Sequence, residues 1–143
     1  MTWRYLMLHH SLTADSDRVS WGAIRRYHTK TLGWRDVGYH AGVEQVGECD
    51  ETLLGRPWTK VGAHCRQEGM NRQAFGLCLV GNFDELPPPP TQWVAAVRLA
   101  RMLIGLFDIP TETIIGHRDF APKSCPGHAF DLDEFRAEKV GGL

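Results

Sequence analysis

The chain has 143 residues, 43% of them hydrophobic and 23% charged, with a net charge of −1 when the histidines are neutral. A chain of this size buries a real core without disulfides, and its composition is that of an ordinary folded domain. The charge balance excludes bulk electrostatic attraction to nucleic acid or an anionic membrane, and no run approaches the ~18 consecutive apolar residues of a membrane-spanning helix.

Residues 3–9 are short, apolar and aromatic with a polar stop, which predicts a buried strand. Alternation puts Met7 and His9 on one face, Leu8 and His10 on the other. Ser11 to Val19 is polar and reads as a loop. Asp17 or Ser20 can cap a helix over about 20–31, with Trp21, Ile24, Tyr27 and His28 at helical spacing. Gly33 ends it, because glycine tolerates the left-handed cap. His28 reads as half-buried packing. A bend at Gly38 then starts a strand through Tyr39 and His40, whose side chains point opposite ways.

Gly47, Gly55, Pro57 and Gly62 punctuate short strands and turns across 47–62, with Arg56 solvated or ion-paired. His64 sits on a glycine-rich turn, where histidines are better functional candidates than in a core. Phe75 to Gly81 is apolar nearly throughout and reads as a central strand. Pro87–Pro90 reads as a stiff connection to the longest helix, not as a domain linker, because too few residues follow for a separate core. Thr91 is the expected cap of that helix, about 92–107. Trp93, Val94, Val97, Ala100, Ile104 and Phe107 are its expected apolar face. A short strand at about 113–116 follows, and a closing helix over Asp131 to Val140 turns Leu132 and Phe135 inward. Gly141 to Leu143 reads as frayed. The expectation is an α/β chain, one domain over 1–143, with a central mixed β-sheet flanked by helices.

Cys49, Cys65, Cys78 and Cys125 do not have the spacing of a small secreted disulfide framework. Cys78 reads as an inert core thiol. Cys125 is different. His117 ends an apolar run and a seven-residue loop separates it from Cys125. An imidazole and a thiol on one rigid loop suit zinc above other common ions. A third donor must come from elsewhere, and the His9-His10 pair is the best supplier. Two histidines and one cysteine leave a tetrahedral corner open, as in a catalytic zinc site. Periodicity does not choose between His9 and His10, and on spacing alone a buried thiol with surface histidines stands as the alternative. His64 with Cys65 is a weaker candidate pair, since adjacent residues in extended backbone rarely chelate one ion.

Six stretches occur in a telling order. They are Leu8-His9-His10-Ser11, Asp36-Val37-Gly38-Tyr39-His40, Gly62-Ala63-His64, Asn71, Phe75 through Gly81, and Gly116-His117 through Ala121-Pro122-Lys123-Ser124-Cys125-Pro126. Together they resemble the zinc-dependent N-acetylmuramoyl-L-alanine amidases of the type-2 amidase and peptidoglycan recognition protein superfamily. Within it the likeness is to the short phage lysozymes that are amidases. It runs from about residue 6 to 135. The stretch between Val43 and Arg56 fits poorly, and the Pro87–Pro90 run is not a family hallmark.

The resemblance implies Zn2+ held by His9, His117 and Cys125 at the sheet edge, and so selects His9 over His10. It implies Tyr39 and Lys123 as catalytic residues, and His64 and Asn71 as borders of the substrate groove. The implied reaction is hydrolysis of the amide between N-acetylmuramic acid and L-alanine in peptidoglycan or a muropeptide, as in a phage or prophage endolysin. Alternatives are a muropeptide-recycling amidase, a non-catalytic wall-binding or partner-regulating module, and a metal-free hydrolase with Cys125 as nucleophile and His117 as base. A monomer without nucleic-acid or membrane partners is expected, and analogy with one phage-type relative adds RNA polymerase as a protein partner. The apolar run Tyr5–Leu8 is too short for a signal peptide, so synthesis in the cytoplasm and action on the wall after release are expected.

Overall fold

The computed structural model describes residues 1–13 and 20–140, the last two by backbone alone. Asp17 as a helix cap and fraying beyond 140 lie outside the described residues. Five strands form one sheet: β1 (Tyr5–His10), β2 (Ala41–Val46), β3 (Cys49–Leu54), β4 (Ala74–Leu79) and β5 (Ile114–Gly116). Their order is β3-β2-β4-β1-β5. β1 runs parallel to β4 and β5, β2 runs parallel to β4, and only β3 is antiparallel, as the edge partner of β2. The expected mixed α/β sheet is therefore present.

Burial explains the order. All six residues of β4 are buried, and so are five of six in β1, as required of strands covered on both faces. β3 is largely exposed, as an outer strand can be. Its tight turn from β2 is made by Gly47 at φ +61°, a left-handed value that costs glycine little.

The two faces of the sheet do different things. Leu6, Leu8, Val43, Phe75, Leu77 and Leu79 point to one side and pack with Ala96, Leu99, Ala100 and Leu103 of α3 (Pro90–Phe107) and with Leu132 and Phe135 of α4 (Leu132–Val140). The opposite face carries Met7, His9, Gly76 and Cys78, since Met7 pairs with Gly76 and His9 with Cys78 in the register. That second face carries His9.

Several expectations shift in detail. α3 begins earlier than predicted: Pro89 is its cap and Pro90 its first residue, and Thr91 lies inside the helix. Proline suits that first position because the helix has no use for its missing N–H. The buried stripe of α3 is also rotated. Val94 is 44% exposed, while Ala96, Leu99 and Leu103 form the seam. Gln92 is buried there too, donating through Nε2 to Val43 O at 3.2 Å and Val80 O at 2.9 Å.

α1 (Trp21–Arg26) has Ser20 as its cap, with Oγ accepting from Ala23 N at 3.2 Å. It then widens into a π-turn over Tyr27–Thr31. Widening breaks the 3.6-residue spacing, so Tyr27 faces solvent at 54% exposure instead of continuing the Trp21–Ile24 stripe. Gly33 follows at φ +71°. α2 (Met70–Gln73) is a single turn entering β4.

Candidate metal centre

β1 lies beside β5, with Leu8 opposite Gly116. The residue after Gly116 is His117, so the pairing alone carries the end of β5 alongside His9. The chain then turns back on itself. Arg118 N donates to Cys125 O at 2.7 Å, and the Arg118 guanidinium donates to Gly127 O at 2.7 Å and Phe130 O at 3.2 Å. Asp119 Oδ2 accepts from Gly116 N at 2.8 Å. From the far side Asp84 accepts from Ser124 Oγ at 3.0 Å and His128 N at 3.1 Å. These bonds hold Cys125 against the end of β1.

One donor atom from each of His9, His117 and Cys125 lies within 4.8 Å of the others, and all three residues are buried. Cys125 Sγ is 3.6 Å from His9 Nδ1. Zinc–nitrogen bonds of about 2.0–2.1 Å and zinc–sulfur bonds of about 2.3 Å at tetrahedral angles separate neighbouring donors by roughly 3.4–3.8 Å. The spacing thus fits one small divalent ion. Among the described residues no fourth His, Cys, Asp or Glu joins the group.

The protonation states suit this use. Burial holds the His9 imidazole well below its usual range, with His64, His117, His10 and Lys123 adding to the effect. Burial and then Lys123 bring His117 down to about 4. Both rings are therefore neutral near pH 7, the form that binds metal. Burial pushes the Cys125 thiol up to about 11, against the lowering effects of the His10 backbone and Lys123. A cation must displace that proton on binding.

Beside the three donors opens a cavity of about 510 Å³, lined among others by Leu12, His28, Trp34, Tyr39, His64 and Lys123. The Tyr39 ring packs on His9 with centroids 5.1 Å apart. Burial, then Cys78 and Cys125 nearby and a hydrogen bond to the Cys78 sulfur, raises its phenol well above the ordinary value, so it keeps its hydrogen. Lys123 is exposed on the loop between His117 and Cys125. Metal donors, a phenol and an ammonium thus meet at one cleft.

The remaining sequence candidates are placed as follows. His10 faces the other side, and its Nδ1 accepts from Phe83 N at 3.1 Å. His28 is half-buried as expected, accepts from Gly38 N at 3.1 Å and stacks on Trp34 at 4.6 Å. His64 is buried behind His9. Asn71 does not line the cavity; its Oδ1 accepts from His64 N at 2.7 Å and Cys65 N at 2.8 Å, so it reaches the centre through that turn. Arg56 forms no ion pair among the described residues and is half-buried. It donates to Val37 O at 2.8 Å and Val61 O at 2.9 Å, tying together the loops that carry Tyr39 and His64. Trp34 and Leu12 were not singled out from the sequence. For Trp34 a signal existed: a tryptophan directly after the helix-ending Gly33 has no helix face to enter.

His40 is fully buried between Lys60 O, 2.8 Å from its Nε2, and Gly76 N, which donates to its Nδ1 at 3.0 Å. Burial lowers it to about 4. The unfolded ring takes a proton near pH 6.5 and the folded ring does not, so stability falls as pH drops from 6.5 to 4. The loss is about 3 kcal/mol through His40 alone. Urea unfolding between pH 7 and 4 should show it, with the His40 resonances still neutral at pH 5.5.

Residues 1–128 match the family described as N-acetylmuramoyl-L-alanine amidase. The endolysin of Enterobacteria phage K11 is 36% identical over 95% of this chain and 85% of its own length. An N-acetylmuramoyl-L-alanine amidase of Homo sapiens is 37% identical over 77% of this chain and 19% of its own. Among solved structures, the N-acetylmuramoyl-L-alanine amidase LysC from Clostridium intestinale superposes with a TM-score of 0.83 at 29% identity, covering 96% of this chain and 85% of that one. A match spanning the whole sheet and the His9–His117–Cys125 cluster makes this chain a member of the N-acetylmuramoyl-L-alanine amidase family.

Proposed function

We propose that the chain is an endolysin-like zinc amidase that cleaves the bond between the lactyl group of N-acetylmuramic acid and L-alanine in peptidoglycan. The convergence of His9, His117 and Cys125 beside a cleft carries this reading. When bound there, zinc supplies Lewis-acid polarisation of the scissile carbonyl and acidification of a water molecule. Tyr39 and Lys123 do the rest. Amide cleavage builds negative charge on the carbonyl oxygen, and a phenol O–H and an ammonium facing the same cleft can both donate to it. Lys123, exposed to solvent, is also the group placed to return a proton to the departing L-alanine nitrogen. The His9 and His117 rings stay neutral as donors. Trp34, Leu12 and His28 wall the cleft and orient the glycan–peptide junction.

The metal-free cysteine hydrolase reading has less support. A nucleophilic thiol needs a depressed pKa, and burial drives Cys125 the other way. Digestion of purified wall should release new L-alanine amino termini and no reducing sugar ends. One zinc per chain is expected, with activity lost to a chelator and restored by zinc. Full activity after zinc removal contradicts the proposal.

A further inference from the structure

His64 stands between His9 and β4. Its Nδ1 lies 2.9 Å from His9 Nε2, and its Nε2 lies 3.1 Å from Ala74 O. A carbonyl oxygen only accepts, so Nε2 of His64 carries hydrogen. A neutral imidazole has one ring hydrogen, so Nδ1 of His64 is a bare acceptor. The hydrogen between the two rings therefore belongs to His9 Nε2. That leaves the lone pair of His9 on Nδ1, the atom that faces Cys125 Sγ at 3.6 Å. The relay is one-directional: His9 donates to His64, and His64 donates to the strand backbone.

The His64 ring is also gripped. A Cβ on Gly62 would come within 2.5 Å of it and a Cβ on Gly76 within 2.7 Å, so both positions keep glycine-sized space for the imidazole. Asn71 pins the backbone on either side of the Cα through the two N–H groups it accepts. The side chain is fixed along its whole length, and its contact with His9 is buried.

We propose that His64 is a positioning residue of the metal centre, which sets the tautomer and ring plane of His9 so that Nδ1 is presented to the ion. This rests on the reading of His9, His117 and Cys125 as zinc donors. It differs from a substrate-groove role, in which His64 would touch the muropeptide and leave the metal alone.

Three measurements decide it. Long-range proton–nitrogen spectra of the metal-free wild type at pH 7 should show His9 protonated on Nε2 and bare on Nδ1. Zinc affinity, read by competition with a chromophoric chelator, should fall about 10- to 100-fold in His64→Ala, the usual cost of losing such a partner. His64→Asn, whose carbonyl oxygen sits close to where Nδ1 was and can accept from His9, should recover most of that loss. At saturating zinc the KM for a soluble muropeptide should not move. A His9 proton on Nδ1 overturns the proposal. So does a His64→Ala enzyme with zinc affinity within twofold of wild type and a raised KM, which makes His64 a substrate contact. If the alanine variant does not fold, the wild-type spectrum decides alone. Failure of the wild type to take up stoichiometric zinc is a separate result and rejects the metal reading itself.

Discussion

Cys125→Ala is expected to abolish both zinc binding and wall hydrolysis. Catalytic zinc sites use three protein donors, and this variant keeps two. The lost metal chemistry is worth several kcal/mol, and each 1.36 kcal/mol is a factor of ten, so turnover should drop by at least about 10³-fold. A nucleophilic cysteine would also give a dead alanine variant, so activity alone does not separate the two. Metal content does. Elemental analysis should find one zinc per wild-type chain and little in the variant. The fold should persist, because Cys125 sits on a loop held by Arg118, Asp119 and Asp84 and not by the thiol. Wild-type turnover in Cys125→Ala would falsify the assignment.

Lys123→Ala and Tyr39→Phe should each slow turnover while leaving zinc in place. Removal of one donor to a developing oxyanion costs about 10²–10³ in kcat. The loss should appear in kcat at saturating substrate, with the metal content of both variants equal to wild type. Tyr39→Phe is the cleaner test, because it keeps the ring that packs against His9, Trp21 and His28 and deletes only the hydroxyl. Lys123→Arg should retain part of the activity, since the positive charge survives but the reach and geometry change. Turnover of either Tyr39→Phe or Lys123→Ala within threefold of wild type removes that side chain from the chemistry.

Much of this was legible in the sequence because the signals were local. The alternation in Tyr5–His10 separates His9 from His10, and the structure sends the two rings to opposite faces. The glycines at 33 and 47 adopt the left-handed backbone their context asks for. The apolar runs that became β1, β4 and β5 needed no partner to be visible. What stayed hidden depends on partners distant in sequence. Gln92 looks like a polar interruption in an apolar helix face until the carbonyls of Val43 and Val80 are beside it. Arg56 reads as a surface charge until Val37 and Val61 close around its guanidinium. His64 reads as a histidine on a glycine-rich turn, and nothing nearby in the chain reveals that its Nδ1 meets a ring 55 positions earlier.

The 116-residue span between His9 and Cys125 has a consequence for biosynthesis. β1 sits between β4 and β5, so a nascent polypeptide cannot finish this sheet until Ile114–Gly116 has left the ribosome. A translation product that ends before His117 lacks two of the three donors, and one that ends between His117 and Ser124 lacks Cys125. The cluster is therefore complete only after the loop that follows β5 has been made.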